Sequence, residues 1–324
     1  MPGSRFWLAL GAAGVLVSSA CGVNQAPAGD GGADYPNGTV TLTVPFTAGG
    51  PTDATARALA ECLDRELGTN VVVENKPGAA GTIGTSELVQ AKPDGQTLGM
   101  VSTTSAVAGP ILQDGIDYTL DDLQPIALLA EVPSVIAVGP DSKYQTAEAL
   151  LAAAKAKPGS VTVAVPGTTT VFGIELQRLE REYGVKLETV PFEGGGDARN
   201  AVLGGNVDAL WDAASKDLLD NIRQGQFKAI ATGHGTRLDY LDVPTLAELG
   251  FPKLVDSDTP FSLAAPAGTP EPVVKTLEDK TRACQATDKY QEVVGAQFVP
   301  DEFVGSAALT KKFTDLADTY RALK

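Results

Sequence analysis

The feature that most constrains this chain is a strand–loop–helix pattern that occurs twice. The first copy runs from the alternating β-branched segment Val40–Val44 through Pro45 into a Gly/Thr loop. It then enters an amphipathic helix with Leu59, Ala60, Leu63 and Leu67 on one face. The second starts at Val161-Thr-Val-Ala-Val-Pro166, turns through Gly167-Thr-Thr-Thr170, and continues as a helix carrying Phe172, Leu176, Leu179 and Tyr183. Apolar period two gives way to period 3.6 across a glycine-and-hydroxyl turn in both places. Each copy leaves unpaired backbone N–H groups at a helix N-terminus, where an anion can sit. On two facing lobes, the pair implies a grip on a small carboxylate.

The N-terminus reads as an export leader. Arg5 supplies a thin positive region, Phe6 to Val17 an apolar run of about twelve residues, and Ser18-Ser19-Ala20 a small-residue cleavage site. That run falls short of the roughly 20 apolar residues a membrane-spanning helix needs. Cys21 follows directly, as in bacterial lipoproteins, although Ser18 stands where leucine is usual; an ordinary signal with an incidental cysteine is the alternative. Residues 21–34 are small, polar and Gly/Pro-rich, a tether behind the anchor. The expected location is the outer face of the cytoplasmic membrane, held by lipid only.

The roughly 290 residues that remain suit two lobes better than one core. Strand and helix patterns alternate throughout, an α/β signature. Strands near 134–138 and 261–265, flanked by Pro and Gly, are the expected crossings. Lobe 1 is then 35–136 plus 262–324, and lobe 2 is 137–261. Helices are expected at 85–91, 147–156, 198–203 and 244–250. Loops at strand C-termini open to one crevice in such sheets, which brings 46–53, 103–105, 167–170, 193–197 and 212 together.

With 25 basic and 40 acidic residues, the formal net charge is −15. No basic stripe exists, which argues against nucleic acid and against electrostatic membrane binding. The single histidine, His234, has no partner at metal-ligand or triad spacing, and no phosphate loop follows a strand. No metal, no cofactor and no catalytic residue is therefore expected, and Asp121-Asp122 and Asp256/Asp258 read as solvated. Cys62 and Cys284 fall on helical stretches of an exported chain, either bridged or two buried thiols.

The candidate binding residues follow from the loops. Phe46, Thr47, Ala48, Gly49, Gly50 and Thr52 bring backbone N–H groups and hydroxyls to the ligand. Asp53 reads chiefly as the helix N-cap, aided by Arg57 one turn on. Thr104 and Ser105 join from the middle loop, and Gly167, Thr168, Thr169 and Thr170 supply opposing donors. Phe192 forms an aromatic wall, with Gly194 and Gly195 adding a third set of N–H groups. Asp212 takes a ligand ammonium or ordered waters, or caps the next helix.

Seven ordered motifs then carry a family resemblance across nearly the whole mature chain. They are Val44-Pro-Phe-Thr-Ala-Gly-Gly-Pro-Thr-Asp53, Val73-Glu-Asn-Lys-Pro-Gly-Ala-Ala-Gly-Thr-Ile-Gly84, Pro93-Asp-Gly-Gln-Thr-Leu98 and Val190-Pro-Phe-Glu-Gly-Gly-Gly196. Leu203-Gly-Gly-Asn-Val-Asp208, Val243-Pro-Thr-Leu-Ala-Glu-Leu-Gly250 and Ala265-Pro-Ala-Gly-Thr-Pro270 complete the series. The chain resembles the substrate-binding proteins of tripartite tricarboxylate transporters, the Bug receptors. The resemblance implies a two-lobed periplasmic-binding fold of the second type, closing on a carboxylate. It also implies a monomer delivering its ligand to a permease of one large and one small subunit. Phe192 stands where the family often has Tyr, and Gly167-Thr-Thr-Thr170 replaces Gly-x-Gly-Ser; both bear on which ligand fits. A carboxylate-sensing lipoprotein acting with a signalling partner would use the same cleft, and an enzyme is the remote third reading.

Overall fold

The computed structural model describes residues 35–254 and 257–323; the leader, Cys21 and the tether lie outside them. The first half runs β1 (Val40–Val44), α1 (Pro51–Leu67), β2 (Val71–Asn75), α2 (Thr82–Val89) and β3 (Thr97–Val101). A π-helical turn at Thr104–Ala108 continues into α3 (Gly109–Leu112), before β4 (Leu123–Val132). Next come β5 (Ser134–Val138), α4 (Ala147–Ala156), β6 (Thr162–Val165), α5 (Val171–Tyr183) and β7 (Glu188–Pro191). They are followed by α6 (Gly195–Leu203), β8 (Ala209–Ala213), α7 (Lys216–Arg223) and β9 (Lys228–Thr232). The chain closes with β10 (Thr259–Pro266), α8 (Glu271–Gln285), α9 (Asp288–Val294) and α10 (Ser306–Leu323).

Two five-stranded sheets result, ordered β2-β1-β3-β10-β4 and β7-β6-β8-β5-β9. In each, three strands are parallel and come from strand–helix–strand units, with β10 and β5 entering antiparallel. The expected α/β class is what the chain forms, with the two sheets as its two layers of strands. The crossings differ in detail. The chain leaves the first sheet at Pro133, so β5 lies wholly in the second, and β10 lies wholly in the first.

Three elements depart from the sequence pattern. β4 has no counterpart among the expected strands. Its run Leu-Gln-Pro-Ile-Ala-Leu-Leu-Ala-Glu-Val has neither period, and Pro125 argues against a central strand. At the end of the sheet order a proline is tolerated, and β4 pairs with β10 over its whole length. The second departure is residues 244–250, which make one turn, not a helix. Thr245 and Glu248 cap each other reciprocally, and Gly250 at φ +97° ends the turn. A bridge from Thr245 to Thr232 holds the segment against β9. The third is α7, expected only as the helix that Asp212 would cap, which starts instead after Ser215 and is eight residues long.

Cys62 of α1 and Cys284 of α8 form a disulfide with 5.6 Å between Cα atoms. It staples two helices on the first sheet, where α1 also packs against α9. In the second sheet Trp211 is fully buried, and its Nε1 donates to Ser134 Oγ at 3.2 Å.

Candidate functional site

Three helices begin at one cavity between the sheets, and their first turns are built differently. α1 starts at Pro51, whose fixed φ suits the first helical position, with Gly50 as N-cap and no side-chain cap. Its first intrahelical bond runs from Ala54 N–H to Gly50 C=O at 3.0 Å. The N–H groups of Thr52 and Asp53 come before that bond and have no acceptor in the helix. α6 repeats the arrangement from the other sheet. Its N-cap is Gly194, again without a side-chain cap, and its first bond is Ala198 N–H to Gly194 C=O at 3.2 Å. The N–H groups of Gly195, Gly196 and Asp197 precede it.

α5 is closed instead. The Thr170 hydroxyl accepts from Gly173 N–H at 3.3 Å, and Thr104 Oγ1 from the first half accepts from Val171 N–H at 3.3 Å. Phe172 N–H remains in that turn.

The cavity measures about 30 Å³, room for about two or three water molecules. Direct contacts cross it. Gln113 Nε2 donates to Thr169 Oγ1 at 2.8 Å, and Thr47 Oγ1 approaches Asp197 Oδ2 at 3.5 Å. A Cβ on Gly194 would lie 2.3 Å from Thr47 Oγ1, so glycine permits the approach.

Of the expected binding residues, Phe46, Gly50, Thr52, Thr104, Thr170, Gly195 and Asp212 line the cavity. Thr47, Ala48 and Gly49 form the rim, with Ala48 and Gly49 exposed. On the opposite rim Thr168 is exposed, while Gly167, Thr169, Phe192 and Gly194 are off the wall. Ser105 is buried behind it, its carbonyl taking the Tyr118 hydroxyl at 2.7 Å.

Several expected roles are corrected. Gly49 N–H is not open to a ligand, because Asp53 Oδ2 accepts it at 2.9 Å. Asp53 is not the N-cap either; Pro51 starts α1 two residues earlier, so Asp53 reaches back from the first turn. Its carboxylate also takes Arg57 Nε and Asn75 Nδ2, each at 2.9 Å. Burial pushes that carboxyl up, but the Arg57, Gly49 and Asn75 donors outweigh it and hold it below the ordinary range. Asp258 is not solvated: both its oxygens lie within 3.0 Å of His234 Nδ1.

Asp212 lies inside β8 and does not cap α7, whose N-cap is Ser215. Its Oδ1 accepts Ala213 N–H at 2.8 Å and its Oδ2 accepts Arg199 Nε at 2.9 Å. Burial pushes this carboxyl upward against the pull of the guanidinium. Arg199, unforeseen in sequence, is itself buried and also bonds Asp217 and Ser215 Oγ.

Other wall residues missed from sequence include Ser102, Phe172, Thr259 and Phe261. Ser102 directly follows β3 and Phe261 lies in β10, and only long-range strand pairing brings them together. Phe172 carried a signal, since side chains in a first helical turn point back toward the N-terminus. Among the described residues no group of three or more His, Cys, Asp or Glu is placed to hold a metal. No described helix is long and apolar enough to cross a membrane.

The sequence profile of the tripartite tricarboxylate transporter family receptor matches residues 55–320. The chain belongs to this family. The receptor is 34% identical over 266 residues to protein BugT of Bordetella pertussis, covering 81% of each chain. Its fold matches the periplasmic binding protein BugD at a TM-score of 0.79 and 32% identity, over 89% of the receptor and 97% of BugD. It also matches MatC of Rhodopseudomonas palustris, a structure with bound malate, at 0.81 and 27% identity, over 89% and 99%. As a member of this receptor family it is a solute-binding protein, not an enzyme.

Proposed function

We propose that the protein captures a small carboxylate by closing two lobes on it and hands it to a permease of one large and one small subunit. The observation that carries this reading is the pair of glycine-capped helix starts, α1 and α6, whose open N–H groups face one cavity from opposite sheets. Oriented N–H groups and the positive end of the helix dipole hold an anion without a cationic side chain. Malate in the related MatC structure supports the ligand class. The lobes are assigned as 35–133 with 259–323, and 134–258, which hinge at the two passages between sheets. The protein works as a monomer, tethered by lipid on Cys21 outside the cytoplasmic membrane.

A thermal-shift panel of mono-, di- and tricarboxylates tests the binding step. A ligand at 100 times its dissociation constant adds about 2.7 kcal/mol by mass action. No shift with any carboxylate, from protein refolded free of host ligand, overturns the reading. For the anchor, Cys21→Ser should move the protein out of the membrane fraction. For delivery, uptake of the best ligand should need both this protein and the permease.

A further inference from the structure

We infer that the cavity wall formed by Ser102 and Thr259 is a subsite for an uncharged hydroxyl, so that the ligand is a hydroxylated monocarboxylate and not a dicarboxylate. The inference rests on the receptor reading above and specifies its ligand.

Ser102 Oγ and Thr259 Oγ1 both line the cavity, their residues are 3% and 9% exposed, and neither oxygen is bonded by a protein group. Ser102 directly follows β3 and Thr259 opens β10, and the two strands pair antiparallel with Ser262 opposite Val101. A buried hydroxyl left without a partner is costly, so native structures satisfy such groups with protein, ligand or water. Each hydroxyl both donates and accepts, which suits a ligand hydroxyl on either side.

The rest of the wall decides the charge. One carboxylate has enough donors in the open N–H groups of Thr52, Asp53, Gly195 and Gly196, which leaves Ser102 and Thr259 for another group. No Lys, Arg or His lines the cavity; Asp212 is its one ionisable wall residue among those described. Arg199 is behind Asp212 and directs its donors to Asp212, Asp217 and Ser215. A second carboxylate would lose its water beside Asp212 with no free cation to meet it, and like charge at short range disfavours the ionised form. Phe46, Phe172 and Phe261 supply apolar surface for the ligand body.

Calorimetric titration with two matched series tests this: butyrate, 4-hydroxybutyrate and succinate, then hexanoate, 6-hydroxyhexanoate and adipate. In the better-fitting length the hydroxy acid should bind about tenfold tighter than the plain acid, and the dicarboxylate weakest. Ser102→Ala and Thr259→Val remove hydroxyls that no protein group uses, so both variants should fold, and the ratio of hydroxy-acid to plain-acid affinity is read in each. Each should lose most of the hydroxy acid's advantage. A dicarboxylate that binds as tightly as the hydroxy acid overturns the inference and leaves the receptor reading standing. So does a preference that survives both substitutions. Silence from all six probes together with a flat carboxylate panel overturns the receptor reading, and this inference with it.

Discussion

α1 and α5 grow from the same sequence pattern, yet their first turns end in opposite states. α1 has a glycine N-cap and no hydroxyl over its first N–H groups, while α5 has Thr170 and, from across the cleft, Thr104. The structural counterpart of α1 is α6, with Gly194 in the place of Gly50. A repeat in sequence therefore does not mark a repeat in function. What distinguishes the helices is the residue at the N-cap: a hydroxyl there consumes the donors that an anion would use, and glycine leaves them open. On this comparison the proposed anion site lies at the starts of α1 and α6, and α5 is a strut that the first half also buttresses.

The largest test concerns the disulfide, which belongs to α1's side alone. Replacing Cys62 and Cys284 by Ser opens a 222-residue separation, worth about 5 kcal/mol in the chain-entropy model. Hydrogen exchange should show α1 and α8 losing protection while α5 keeps its own. Equal loss in both helices would mean that the two halves unfold as one unit, and the contrast between them would fail.

The next test is steric. Gly194→Val places a branched side chain where a Cβ already comes to 2.3 Å of Thr47 Oγ1. Overpacking of this kind costs about 1–3 kcal/mol, and here it falls on a contact across the cavity and not on either half alone. Ligand affinity should drop while the denaturation midpoint barely moves, and Thr47→Ala in the same chain should restore much of the loss. Undiminished affinity in the single variant would mean the ligand is held without this closure.

Swapping caps probes the comparison directly. Gly50 has an extended backbone, φ −85° and ψ 173°, and a Cβ there meets only Thr47 O at 3.6 Å. Gly50→Ser should add a cap that gains a few tenths of a kcal/mol of stability. The same hydroxyl would occupy the N–H groups of Thr52 or Asp53, so affinity should fall about tenfold, roughly 1.4 kcal/mol. The converse is Thr170→Ala, which should cost about 1 kcal/mol of stability and leave affinity within about threefold. Loss of binding in Thr170→Ala, with none in Gly50→Ser, would reverse the assignment of the two helices.

Much of this arrangement was legible in the sequence, because strand, loop and helix are local. The alternating Val40–Val44, the Pro/Gly turn after it and the amphipathic α1 needed only short-range patterns. The loops bearing Phe46, Gly50, Thr52, Thr170 and Gly195 could be placed at the cleft from those patterns alone. What was not legible depended on partners far along the chain. Thr259 and Ser102 reach one cavity only because β10 pairs antiparallel with β3, and Arg199 reads as an ordinary helix residue until β8 brings Asp212 beside it. The rim and the wall of one loop also look alike in sequence. Gly49 and Gly50 are adjacent, but Asp53 takes the N–H of one while the other faces the cavity.

The smallest effect separates the helices by pH. Asp53 has a carboxyl held below its ordinary value: burial opposes this, and the donors from Arg57, Gly49 and Asn75 more than offset it. A carboxyl depressed on folding contributes stability that is fully present above its unfolded pKa, about 3.9, and is lost as pH falls through the lower folded value. Arg57 is about half exposed, so solvent screening keeps its share of the contribution under about 1 kcal/mol. The first turn of α5 contains no acid, and its caps are hydroxyls. Urea denaturation between pH 7 and pH 3 should therefore show the gap between wild type and Asp53→Asn shrinking below pH about 4. Over the same range the gap between wild type and Thr170→Ala should stay flat. An Asp53→Asn gap that is equally flat would mean that hydrogen bonding to a neutral side chain suffices at Gly49, and that the charge on Asp53 contributes nothing to the loop.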